Sequence, residues 1–158
     1  RQMEQELADE QLNAEIIRNK RGITIRLSDS LLFDLGNAEL KPQSRKVLDR
    51  VAELLKANPR NVVIEGHTDD VPIGPSLRKK FPTNWELSTT RATNVLRYFV
   101  EGQKMQPDRF SASGYGEFRP LSPNRIGGKD NPEGRNANRR VDIVILEDEA
   151  TGGGSNVR

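Results

Sequence analysis

An α+β sandwich of βαβαββ order is the fold class this sequence predicts: a small mixed sheet with its helices packed on one face, preceded by an N-terminal amphipathic helix. Three observations predict it. Ile23-Thr24-Ile25-Arg26-Leu27 and Val141-Asp142-Ile143-Val144-Ile145 alternate as strands with one buried face do. Val47, Leu48, Val51, Leu54 and Leu55, and later Ala92, Val95, Leu96 and Phe99, recur at helical spacing. Between those helices Val62-Val63-Ile64-Glu65 is short, β-branched and continuous, which suits an interior strand covered on both sides. Strand–helix–strand units cross over right-handed, so both helices fall on the same face.

The elements follow in order. Residues 1–19 carry Met3, Leu7, Leu12, Ile16 and Ile17 among Glu, Gln and Asn. That spacing predicts an amphipathic helix within a leading segment 1–21, either a plain linker or a partner-binding element. Gly22 breaks it, and the domain proper runs over 22–147. Pro42 suits the first helical position, where its missing N–H costs nothing, and Asn58-Pro59 stops the helix. Residues 70–83, with three prolines, one glycine and Arg78-Lys79-Lys80, read as a long exposed loop, a kind that is often functional. Thr83-x-x-Glu86 is a capping box that opens the second helix. Gly102 ends it, and Arg109 to Ser113 is a further strand candidate. Residues 116–138, rich in Gly, Pro and Asn, read as a second long loop before the last strand. The segment 148–158, with Gly152-Gly153-Gly154, has the composition of a disordered tail.

Composition removes several functions. The 25 basic and 23 acidic residues leave a net charge of +2, too balanced to argue for nucleic acid. With no cysteine there is neither a disulfide nor thiolate chemistry. No apolar run reaches the roughly 18 residues that span a membrane. The chain begins at Arg1 without an initiator Met, so it reads as a fragment from which an anchoring or targeting segment is missing.

The charged residues suggest a binding site. Asp69 sits just past a strand, and Arg91 lies near the start of a helix. A fixed anion beside a fixed cation suits a small zwitterion; the plain alternative is a structural Asp–Arg ion pair. Arg139 and Arg140 open the last strand, and alternation lets only one of them face the same rim. A carboxylate there binds an ammonium, and an arginine fork binds a carboxylate. His67, Asp69 and Asp70 lack further ligands, so neither a metal nor another cofactor is expected. Asp69 and Asp70 are neighbours on an extended segment and point opposite ways, unlike the paired acids of a glycosidase. Ser88 has no histidine close in sequence to activate it. Trp85 and Phe81 flank the first loop, as local packing or as a sugar-stacking platform.

Four pieces, in order, resemble the signature of the OmpA-like peptidoglycan-binding domain. They are Leu32-Phe33-Asp34-Leu35-Gly36-Asn37-Ala38-Glu39-Leu40, Thr68-Asp69, Asn84-x-x-Leu87-Ser88-x-x-Arg91-Ala92, and Asn138-Arg139-Arg140-Val141. Within that family, Gly66-His67-Thr68-Asp69-Asp70-Val71-Pro72-Ile73 and the loop to Leu87 are most similar to the MotB-type stator subunits of flagellar motors. The resemblance implies a non-catalytic module that holds peptidoglycan by the diaminopimelate of its stem peptide. It casts Asp69 and Arg91 as the clamp and Thr68, Leu87 and Arg139 as pocket members. The turn Asp34, Leu35, Gly36 and Asn37 becomes a backbone contributor. It further implies the periplasm of a bacterium, a homodimer, and a MotA-type channel subunit met through an upstream transmembrane segment of an inner-membrane protein. The leading helix and the two long loops would then supply the dimer contact or a plug. The rivals are an OmpA/Pal-type outer-membrane anchor and an enzyme acting on peptidoglycan.

Overall fold

A computed structural model describes residues 14–147 of the chain. Five strands make one mixed sheet in the order β1-β2-β7-β3-β4. They are β1 (Ala14–Asn19), β2 (Gly22–Ser28), β3 (Val62–His67), β4 (Phe110–Gly114) and β7 (Arg140–Leu146). β5 (Arg125–Ile126) and β6 (Lys129–Asp130) form a separate small ribbon. The helices are α1 (Asp29–Leu32), α2 (Ser44–Ala57), α3 (Asn84–Arg97) and α4 (Pro132–Asn138). β3 and β4 are parallel and joined through α3; the other pairs in the large sheet are antiparallel.

One core holds the sheet to α2 and α3. Ile23, Ile25 and Leu27 of β2, Val62 and Ile64 of β3, and Val141, Ile143 and Ile145 of β7 meet Val47, Leu48, Val51, Leu54 and Leu55 of α2 and Ala92 and Val95 of α3. These strand residues are every second one, so both helices cover the same face. The capping box forms as the sequence predicts: the Thr83 side chain accepts from the α3 backbone while Glu86 accepts from the Thr83 N–H at 2.8 Å. Phe81 is buried with Ala38, Ile73 and Leu87 in a small second cluster beneath the 70–83 loop. It therefore packs rather than presenting a face.

Three expectations are corrected. Residues 14–19 are a strand, not the end of a helix. The Ile16-Ile17 pair is β-branched, and Asn19 pairs with Gly22 across a two-residue turn, so hairpin closure outweighs a helix with a wide polar face. Gly22 permits that closure, because its φ is +132° and a Cβ there would lie 2.0 Å from the Ile145 carbonyl oxygen. The rest of the predicted helix, residues 1–13, and the predicted tail, 148–158, lie outside the described residues. Pro42 falls in the turn before α2 rather than at its first position, since Ser44 turns back to the Lys41 carbonyl through both its N–H and its hydroxyl. The 116–138 segment is no plain loop. It contains the β5–β6 ribbon and α4, which starts at Pro132 and ends on a buried Asn138.

Candidate binding site

Topology gathers the charges. β2 and β3 both run antiparallel to β7, so their C-terminal ends emerge on the same rim as the start of β7. Ser28 and His67 both pair with Arg140. One residue past Ser28 stands Asp29; two past His67 stands Asp69; one before Arg140 stands Arg139. The Asp29 N–H donates to the Arg139 carbonyl at 2.9 Å, which locks that corner. α3 leans over the rim and delivers Arg91 to it.

The result is two acids and two arginines in alternation. Arg139 Nη1 donates to Asp69 Oδ2 at 2.6 Å, and its Nε lies 3.9 Å from Asp29 Oδ2. Arg91 donates through Nη1 to Asp29 Oδ1 and through Nε to the Asn37 carbonyl at 2.8 Å. Its Nη2 reaches the Asp34 carbonyl at 3.4 Å. The guanidinium also lies over the Phe33 ring, 4.6 Å from its centroid. Asp69 Oδ1 accepts from the Val71 N–H at 3.0 Å. Burial pushes the Asp29 carboxyl up and the Arg91 guanidinium down; the attraction between the two opposes both shifts.

These groups line a cavity of about 520 Å³ whose other walls include Thr68, Leu87, Asn84, Leu35 and Gly36. The walls are mostly apolar and the charges are concentrated at one end, the form expected of a small-molecule site. Leu35, 93% exposed, stands at the mouth. Gly36 takes a φ of +67°, which turns the chain so that the Asp34 and Asn37 carbonyls both face Arg91.

Each residue predicted for the site can thus be placed. Asp69, Arg91, Thr68, Leu87, Arg139, Leu35 and Gly36 line the cavity. Asp34 and Asn37 hold Arg91 by backbone carbonyls. Asp69 and Arg91 are both ion-paired, but with Arg139 and Asp29 rather than with one another. Arg140 points to the other face of the sheet, where it donates to Asp142 and to the Asn138 carbonyl. Asp29 was not predicted. Its only sequence signal is an acid at a strand end, the position Asp69 also holds.

The opposite face carries a second charged group. Glu65, His67 and Asp142 place one ligand-type atom each within 4.8 Å of one another, all buried. Arg26 grips Asp142 with two hydrogen bonds, Arg140 adds a third, and Arg21 grips Glu65. Three guanidiniums against two carboxylates leave the group net positive, which suits a structural network and opposes a cation. His67 stacks on Tyr115 with ring centroids 5.2 Å apart, and neither of its ring nitrogens has a hydrogen-bond partner. Burial, aided by the Arg140 charge, pushes its pKa down to about 4.

The chain is similar in sequence and fold to known proteins. The family model for the OmpA family matches residues 32–139. Motility protein B of Bacillus subtilis (strain 168) is 37% identical over 148 residues, which cover 92% of this chain and 54% of the relative. Among solved structures, a putative MotB like protein from Desulfovibrio vulgaris superposes with a TM-score of 0.79 at 35% identity, covering 90% of this chain and 88% of that one. The cell wall anchor of the T6SS from Pseudomonas aeruginosa gives 0.78 at 27% identity, covering 92% and 97%. The chain spans about half the length of the curated relatives it matches.

Proposed function

The chain belongs to the OmpA family, and from that premise we propose that it binds peptidoglycan without catalysis and anchors a flagellar stator complex to the cell wall. The ligand group is the diaminopimelate of the stem peptide. The observation that carries this reading is the alternation of Asp29, Arg91, Asp69 and Arg139 around one cavity. Diaminopimelate presents an ammonium and a carboxylate on one carbon. Entering the cavity, it offers its ammonium to Asp69 and its carboxylate to Arg91 and Arg139, and every charge keeps a partner. That balance matters, because a buried charge left alone costs several kcal/mol. Arg91 is held by four groups and stays in place; Arg139, with a more exposed side chain, is the one that swings from Asp69 to the ligand.

The similarity to motility protein B supports the stator role, and with it a periplasmic domain of an inner-membrane protein, a homodimer, and a MotA-type channel partner. No helix among the described residues is long and apolar enough to cross a membrane. A second reading, anchor of a different envelope assembly, draws on the likeness to the T6SS cell wall anchor. Restored swimming of a stator-deficient strain by a stator subunit carrying this domain favours the motor.

The direct test is co-sedimentation with purified sacculi. Asp69→Ala and Arg91→Ala should each weaken binding by roughly 30-fold or more, as loss of one partner of a buried charged contact does. Full binding by a folded Arg91→Ala protein would sink the reading. Release of soluble muropeptides from the sacculi would mark an enzyme instead.

A further inference from the structure

Two large aromatic rings stand in solvent beside the clamp. Trp85 is 48% exposed and Phe118 61%. They are stacked on each other, with centroids 5.1 Å apart and planes at 23°. Their position is fixed by the clamp's own frame. The Thr68 N–H donates to the Gly116 carbonyl at 2.9 Å. The Ser88 hydroxyl, fully buried, accepts from the Gly116 N–H and donates to the Trp85 carbonyl, both at 3.0 Å. Asn84 Nδ2 donates to Glu117 Oε1 at 3.3 Å. A smaller cavity of about 210 Å³, lined by Asp70, Arg78, Thr83, Asn84 and Glu117, adjoins the clamp cavity and shares Asn84 with it. Asn84 and Glu117 of that groove are the chain neighbours of Trp85 and Phe118, which sets the aromatic pair next to it.

We propose that Trp85 and Phe118 form a saccharide subsite that takes an amino-sugar ring of the glycan strand whose stem peptide sits in the clamp. This rests on the peptidoglycan reading above. A pyranose lays its apolar C–H face on an aromatic ring and keeps its hydroxyl and acetamido groups for polar neighbours, here those of the groove. The spacing agrees. Trp85 precedes Arg91 by six residues on α3, about 9 Å along the axis. Diaminopimelate is the third residue of the stem, and three extended residues reach about 10 Å. Phe81, the other aromatic beside the loop, is buried and takes no part.

Trp85 is the only tryptophan, so its emission reports on the platform directly. The full chain is titrated with the free stem tripeptide, with the disaccharide-tripeptide, and with the peptide-free disaccharide. The disaccharide-tripeptide should bind about fivefold tighter than the tripeptide and shift the emission, while the tripeptide leaves it unmoved. Calorimetry on Trp85→Ala and Phe118→Ala should find tripeptide affinity unchanged and the disaccharide gain lost. Equal affinity of the wild type for the two peptide ligands overturns the subsite and leaves the clamp standing. So does an equal loss for both ligands in the variants. An emission shift driven by protein concentration alone assigns the rings to a second copy of the chain and overturns it too. Failure of both the tripeptide and the disaccharide-tripeptide to bind overturns the clamp reading and this one with it.

Discussion

Arg91 is set before any ligand arrives. Asp29, two carbonyls and the Phe33 ring fix its guanidinium, so little freedom is left to lose on binding. Asp29 is the residue that makes a buried cation tolerable. Asp29→Asn keeps the shape and removes the charge, and it should cost about 3 kcal/mol of unfolding free energy in urea as well as wall affinity. An unchanged denaturation midpoint would show that Asn37 and Asp34 suffice. His67 gives a pH dependence of known sign. Its folded pKa of about 4 lies below the ordinary 6.5, so the unfolded chain binds more protons between those values. Stability is then complete above pH 6.5 and falls as the pH drops toward 4, by about 3 kcal/mol in all. Burial and then Arg140 oppose the protonated ring, Asp142 favours it, and Arg26 and Arg119 oppose it by less. His67→Gln should flatten unfolding curves between pH 6.5 and 4; an unaltered slope would assign the dependence to other groups.

α3 is the element on which both halves of the proposed site depend. Its N-terminal turn carries Asn84, Trp85 and Leu87, and its second turn carries Ser88 and Arg91. Thr83→Ala removes the cap and should cost about 1 kcal/mol. Exchange of the α3 amides nearest Thr83 should speed up more than exchange around Val95, because fraying starts at the released end. α3 also lies unusually close to β3. A Cβ on Gly66 would sit 2.2 Å from the Ser88 carbonyl oxygen, which is backbone and cannot yield. Gly66→Ala should therefore push helix and strand apart, destabilise by about 1–3 kcal/mol, and loosen the clamp, since Thr68 and Asp69 follow directly. Retained sacculus binding in a destabilised Gly66→Ala protein would show that the rim tolerates the shift.

At the scale of the molecule, β1 and β4 are the edge strands of the sheet among the described residues. β1 covers β2 through a six-residue antiparallel register from Ala14↔Leu27 to Asn19↔Gly22. A chain starting at Gly22 would lose that cover and present the β2 edge to other chains. We expect it to be less stable than a chain starting at Ala14 and to self-associate in sedimentation. Equal stability of the two would make β1 dispensable. Ala14 of β1 lies beside Leu27, near the clamp rim, but no β1 residue lines the clamp cavity, so wall binding per folded molecule should survive loss of β1.

Much of this is legible in the residues because it is local. Alternation in β2 and β7, the stripes of α2 and α3, the Thr83–Glu86 box and the stop at Asn58-Pro59 depend on neighbours a few positions apart. Asp69, Arg91 and the Asp34–Asn37 turn could be picked out because each sits at the end of an element or in a resembling motif. What only the tertiary structure decided is which groups meet. Arg91 pairs with Asp29 across 62 positions, and Arg139 pairs with Asp69 across 70. The choice between Arg139 and Arg140, the strand at 14–19 and the stacking of Phe118 on Trp85 are likewise fixed by strand pairing and sheet register. The reason is that periodicity says which face of an element is buried, whereas an ion pair or ring stack depends on how separate elements are brought to one rim.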